Sequence, residues 1–434
     1  MLTGRIVTGL SSFQFMAMVR RGLFYTFLSL YLRVILGLSV TETTLLACLS
    51  MVANSISQMF IWGKISDKYR TRVGLIVIGE TIAAVGYVTI YFTHIWMLNA
   101  YGPFYAAYTI IIGLSILEFF WSMSNVGWSA LISDVTTSQE RSKLMSIISS
   151  IGGVGQIVGV SVAGILYDWG GEAAGFKNGT LFFFASAIMI ASAAVIGIAI
   201  RSTRSKDQKI SISTENKSNW YRRPNSNHNL RSFYWFLTSL FIVSIGTFSI
   251  IQILIFYVEL DAPIGASSVD IAMIRNSASI ATIVTSLFAG PIADKIGRKR
   301  TLGIGFALRV VTPLLYIAAR NVQQMIIFNS LSGVSMALMN VAGYLVASEL
   351  IPAEHRGKLF GQYNAINGIS FGIAGTVVGG PIADYLISMG TPQAQAYTAT
   401  FEVAAIISLI GTMVYLVKVR ALEKADLSFF NYFF

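Results

Sequence analysis

Mainly apolar segments of about 20 residues, each long enough to cross roughly 30 Å of hydrocarbon, follow one another along this chain, separated by short basic breaks. A segment of this kind must satisfy its backbone N–H and C=O groups internally, so it is a helix bundled in a bilayer. Only 12% of the 434 residues are charged, about half the 25% usual in soluble proteins. That excludes a single soluble core. The first apolar stretch runs on past Tyr31, too far for a cleavable signal. The lone Cys48 cannot form an internal disulfide and reads as a small buried hydrophobe.

Twelve spans are predicted, at 6–33, 42–62, 73–94, 104–132, 143–168, 180–200, 233–259, 269–290, 301–320, 323–348, 357–387 and 396–418. The longest break, 201–232, is rich in Ser, Asn, Lys and Arg and reads as a flexible linker between an N-terminal unit, 1–200, and a C-terminal unit with its tail, 233–434. The net charge of +11 does not indicate nucleic acid, because the basic residues sit in short loops. Threading the twelve spans places about 24 of the lysines and arginines on one side and about 3 on the other, so the linker and both termini are expected to be cytoplasmic. A missed span would scramble that asymmetry.

The stretch Gly63-Lys-Ile-Ser-Asp67-Lys68-Tyr-Arg70-Thr-Arg72 returns, half the chain later, as Gly290-Pro-Ile-Ala-Asp294-Lys295-Ile-Gly297-Arg298-Lys299-Arg300. A second pair of motifs, Asp134 with Arg141 and Glu349 with Arg356, follows spans four and ten. The spacing between the copies differs slightly, which a longer loop over 94–103 would explain. Two motifs in the same order in each half point to a parallel repeat about an axis along the membrane normal.

The pattern G-x-x-x-D-x-x-G-R-K/R, after spans two and eight, resembles the signature loop of the major facilitator superfamily. The copy from Gly290 matches throughout; the copy from Gly63 has lost its second glycine. The resemblance implies an all-α membrane protein of twelve transmembrane helices in two pseudo-symmetric six-helix bundles, monomeric, in the plasma membrane. It also implies a cytoplasmic gate built from Gly63, Asp67, Arg72, Asp134 and Arg141 in one half, and from Gly290, Asp294, Gly297, Arg298, Lys299, Glu349 and Arg356 in the other. Gly63 and Gly290 are expected to end their helices. Arg72 is expected to pair with Asp134, and Arg298 with Glu349. These pairs would hold the outward-facing state and break as the transporter opens inward.

Charges at membrane depth are costly and mark candidate sites. Arg20 and Arg21 fall near the middle of span one and Glu118 near the middle of span four, two spans that line the central cavity in this family. An ion pair of Glu118 with either arginine would leave the other free for an anionic cargo. Glu118 is then the titratable midplane group for proton coupling, since arginine does not titrate. Trp121, Asn125 and Trp128 share the Glu118 face by helical spacing. Asn329, Gly333, Met336, Asn340 and Tyr344 form a comparable stripe in span ten. Arg275 reads either as part of an anion path or as snorkelling to the surface. Glu80 and Arg309 lie in spans that scaffold the family's periphery and read as structural. Polar side chains elsewhere in spans, such as Asn54, Gln58, Gln156 and Asn276, read as helix–helix contacts.

The expected function is secondary active transport of a small polar or anionic organic solute by alternating access, coupled to protons through Glu118 and needing no cofactor beyond a proton gradient. Multidrug or metabolite efflux by proton antiport is the alternative. Against it, span five has glycines but no proline, and span four lacks the arginine of the family's drug antiporters. A non-transporting membrane sensor is a third reading. No metal-ligand cluster, nucleophile motif or nucleic-acid signature stands out, so an enzyme is not expected. The partners are a small-molecule substrate and the lipid bilayer.

Overall fold

The computed structural model describes residues 4–69, 71–136, 138–201, 226–351 and 356–419. Most of the expected linker and the tail beyond 419 lie outside these residues, as do the side chains of Arg141 and Arg356. The helices are α1 (Gly4–Leu30), α2 (Val40–Ser57), α3 (Gly63–Tyr69), α4 (Arg72–Tyr101), α5 (Pro103–Val135), α6 (Ser138–Tyr167), α7 (Ala174–Lys177), α8 (Thr180–Arg201), α9 (Ser226–Ser249), α10 (Ile253–Glu259), α11 (Ser268–Ile296), α12 (Arg298–Ala318), α13 (Val322–Leu350), α14 (Arg356–Ala374), α15 (Gly380–Ser388) and α16 (Gln393–Lys418). π-helical turns extend α1 to Ile35 and join α2 to α3 and α14 to α15. Among the described residues, eleven helices are long and apolar enough to cross a membrane. α1 is not among them, because the adjacent Arg20 and Arg21 lower its hydropathy. It nonetheless packs along α6 and α8 as a full-length helix.

The packing is pseudo-symmetric. In the first half α1 lies on α6 and α8, α2 on α5, and α4 on α5 and α8. In the second half α9 lies on α14 and α16, α11 on α13, and α12 on α13 and α16. These are the same pairings shifted by six spans. The contacts between halves, α6 with α11 and α2 with α14 and α15, exchange with each other under the same operation. The caps repeat too: Ser39 with Glu42 opens α2, and Ser267 with Asp270 opens α11, each as a capping box that satisfies the free amides of the first turn.

Two expectations need correction. No loop spans 94–103: α4 continues helically to Tyr101, and Gly102, at φ 94°, turns the chain directly into Pro103 at the start of α5. The repeat spacing therefore differs through helix length. Nor do Gly63 and Gly290 end their helices, which run on to Tyr69 and Ile296. Gly63 is small for another reason: it closes the π-turn, and a Cβ there would stand 2.8 Å from the Gln58 carbonyl oxygen. The residue that ends α11 is Gly297, at φ 96°.

Candidate functional site

The halves are joined at the end of the molecule opposite the basic loops. Asp384 of α15 accepts the backbone N–H groups of Val40 and Thr41 at 2.8 and 2.7 Å. Thr44 donates to Thr376 at 3.1 Å. Across the other seam, Ser268 donates to the Gly164 carbonyl and Asn276 to Ser161. From the middle of the molecule a cavity of about 1160 Å³ runs toward the basic end, between α6 on one side and α9–α13 on the other. Arg275, Tyr316 and Val160 lie at its deep end; Met145, Leu287 and Leu345 line it nearer the basic loops.

The stripe expected on span ten faces this cavity: Asn329, Gly333, Met336, Asn340 and Tyr344 of α13 all line it. Arg275 lines it as well. So does Arg309, which had been assigned to the scaffold. Arg309 is only 7% exposed. Its guanidinium donates to Ser332 at 2.7 Å and meets the Met336 sulfur at 3.3 Å, reaching past the small Ser332 side chain into the cavity wall. On α12, Arg309, Thr312, Pro313 and Tyr316 follow helical spacing and share the cavity face. The sequence signal was a charge deep in an apolar span; the family's usual placement of that span concealed it.

The other expected residues assemble separately, inside the first half. Arg20 is buried and donates to the Tyr87 hydroxyl at 2.7 Å, with its guanidinium 4.9 Å from the Trp121 ring centroid. Trp121 and Ser124 donate to Glu80 at 2.8 and 2.7 Å. Glu118 accepts from Tyr25 at 3.0 Å and from Asn54 at 2.9 Å. Tyr25 and Tyr87 touch at 3.5 Å, which links the two carboxylate networks. The expected ion pair of Glu118 with Arg20 or Arg21 is not formed among the described residues. Arg20 points at Tyr87 and Trp121 instead, and Arg21 is exposed. The shared face of α5 also divides: Trp121 turns into the bundle toward α4, Asn125 is half-buried, and Trp128 packs on Phe13 at 4.8 Å.

At the basic end both expected pairs are present. Arg72 contacts Asp134 at 3.1 Å, with Asp67 at 3.7 Å, and also donates to Ser66. Arg298 pairs with Glu349, with Asp294 at 4.0 Å. Lys299 donates to the Leu416 carbonyl at 3.4 Å. Each pair lies within one half, and each is intact although the cavity reaches toward this end.

A family model described as "Major Facilitator Superfamily" matches residues 10–269 and 262–430. A segment is 29% identical over 120 residues to an "Uncharacterized MFS-type transporter" of Mycobacterium tuberculosis, covering 28% of this chain and 17% of that protein. Another is 25% identical over 148 residues to "Quinolone resistance protein NorA" of Staphylococcus aureus, covering 34% of this chain and 37% of that one. The matches thus span well under half of those relatives. Among solved structures, the nucleoside transporter NupG superposes with TM-score 0.68 at 12% identity, covering 96% of this chain and 99% of that one. A bacterial homologue of the iron transporter ferroportin gives 0.69 at 13%, covering 96% and 99%. At such identities these likenesses establish the fold.

Proposed function

Because the chain belongs to the Major Facilitator Superfamily, a family of membrane transporters, we propose that it moves a small polar or anionic organic solute across the plasma membrane by alternating access, coupled to protons through Glu118. The observation that carries this reading is the cavity between the halves, sealed at one end by Asp384, Thr376 and Asn276 and extending toward the other. Rocking the halves about that site exchanges the sealed end for the open one. The positive-inside rule assigns the basic end to the cytoplasm, so this conformation is inward-facing. Glu118 accepts hydrogen bonds from Tyr25 and Asn54, and through Tyr25 and Tyr87 it adjoins Arg20. That chain relates its charge to the rest of the bundle.

A second reading, efflux of amphipathic compounds by proton antiport, has specific support. NorA is a quinolone resistance protein, and Phe248, Tyr316 and Tyr344 give the cavity an aromatic lining. The two readings separate in a thermal-shift screen of the purified chain against organic acids, sugars, amino acids and hydrophobic cations, followed by counterflow in proteoliposomes. Stabilisation and counterflow by polar or anionic solutes support the first reading. Stabilisation by hydrophobic cations alone replaces it with the second.

A further inference from the structure

The cavity wall is electrostatically one-sided. Arg275 and Arg309 both line it, and among the described lining residues there is no aspartate or glutamate. The acids of the bundle interior, Glu80 and Glu118, belong to the other half and are held there by Trp121, Ser124, Tyr25 and Asn54. Arg309 is 7% exposed, its Nε has no partner, and its other contacts are one hydroxyl and one thioether sulfur. A thioether is a weak acceptor, so a guanidinium with five donors is largely unanswered. Arg275 is half-buried and makes no hydrogen bond or ion pair among the described residues. An arginine at membrane depth costs about 2.5–3.5 kcal/mol even on insertion scales, and such residues normally find a counter-charge. Here the described residues of the half that holds these cations supply none.

We propose that Arg309 and Arg275 form an oxyanion subsite in the C-terminal wall of the cavity, and that the cargo is an amphipathic organic anion whose carboxylate or phosphate is held there. This rests on the transporter reading and narrows its substrate class. Guanidinium is the side chain best matched to such a head group, because its planar fork binds two oxygens at once. Asn340, exposed in the wall, and Ser279, one turn from Arg275, add neutral polar groups. Phe248, Ile283, Leu254 and Met336 line the same cavity and suit an apolar body. The volume, about 1160 Å³, lies just above the roughly 300–1,000 Å³ of small-molecule sites, so it has room for an organic anion rather than an inorganic one alone. The subsite also divides the labour between halves: the first carries the titratable carboxylate, the second the fixed positive charge.

The experiment uses the purified full chain in neutral detergent, with thermal shift and titration calorimetry. Four water-soluble probes share one ring: benzoate, benzyl phosphate, benzylamine and benzyl alcohol. Phosphatidylglycerol in mixed micelles serves as the lipid arm. Benzoate or benzyl phosphate should stabilise the protein, while the amine and the alcohol do not. Arg309→Gln and Arg275→Gln should each weaken the anion about tenfold or more, the share of one charge-assisted contact. Arg309→Lys should recover part of the loss. Arg275→Gln removes no hydrogen bond and keeps the test valid if Arg309→Gln fails to fold. Equal stabilisation by benzylamine or benzyl alcohol, or anion binding unchanged in Arg275→Gln and Arg309→Lys, overturns the subsite. Stabilisation by phosphatidylglycerol alone overturns a soluble cargo. Anion binding that depends on the arginines without counterflow in proteoliposomes leaves the subsite standing and defeats the transport reading. Counterflow of an anion unaffected by either substitution does the reverse.

Discussion

The Asp384 carboxylate accepts the N–H groups of Val40 and Thr41, one oxygen to each, and so ties α15 in one half to the start of α2 in the other. A carboxylate at a helix N-terminus meets both unsatisfied amides and the positive end of the helix dipole. Thr41 lies beside Gly380 and Thr44 beside Thr376, so the seam is also closely packed. This contact is a clamp that favours closure of that end.

Removing the clamp should shift the equilibrium toward opening there. Hydrogen bonds to a charged acceptor contribute about 1.5–3 kcal/mol each, so Asp384→Ala should raise the open population at least about tenfold. The measurement is labelling of Thr44→Cys, in a Cys48→Ser background, by a membrane-impermeant maleimide. Unchanged labelling in Asp384→Ala would refute the clamp.

Replacing Glu118 by glutamine keeps acceptor and donor positions for Tyr25 and Asn54 but removes the titratable group. Vesicles carrying Glu118→Gln should lose solute accumulation driven by an imposed pH gradient and retain solute exchange. Accumulation at the wild-type level would exclude Glu118 as the proton carrier.

Arg20 and Arg21 are adjacent in sequence and should differ sharply in consequence. Arg20 is buried against Tyr87 and Trp121 beside the Glu80 network, whereas Arg21 is exposed. Truncating a buried cation that faces buried acids costs about 3–5 kcal/mol when the partners are left uncompensated. Arg20→Ala should therefore unfold in detergent many degrees below wild type, and Arg21→Ala should change stability by about 0.5 kcal/mol or less. Similar melting temperatures for the two variants would contradict this assignment.

The Arg298–Glu349 and Arg72–Asp134 pairs sit at a partly exposed surface, with side-chain exposures of 36% and 20% for the first and 14% and 55% for the second. Double-mutant cycles of thermal stability should give coupling energies within about 1 kcal/mol for each. Because neither pair crosses between halves, the substitutions should leave the ratio of inward to outward states nearly unchanged in a distance measurement across the basic end. A large shift toward one state would assign the pairs a gating role.

Much of the fold was legible because each helix is a local solution to the same problem. An apolar run of the right length must pair its own backbone, and the spans appear at their predicted positions, with ends that differ by up to about seven residues, as at Tyr69 and Tyr101. The two-half repeat and the charge asymmetry were likewise visible as recurring motifs and loop composition. The ion pairs Arg72–Asp134 and Arg298–Glu349 could be read from the same repeat. The cavity stripe on α13 was legible from helical spacing alone. The interior charges were not. Whether Arg20 meets Glu118 or Tyr87, and whether Arg309 faces lipid, scaffold or cavity, depends on which neighbouring helix presents a small or polar side chain at that depth. Ser332 opposite Arg309 was invisible along the chain.

One pentapeptide marks the boundary between the two kinds of information. Gly-Pro-Ile-Ala-Asp occurs at 290–294 and again at 380–384. By itself the sequence determines that both copies are helical and that each ends in a carboxylate near a span's end. In the first, Asp294 lies one turn from Arg298 of its own half. In the second, Asp384 crosses to the amides of Val40 and Thr41 in the other half. Identical local chemistry acquires different partners because the first copy finds its arginine four residues on in its own sequence, whereas the second meets a helix N-terminus that only packing brings to it.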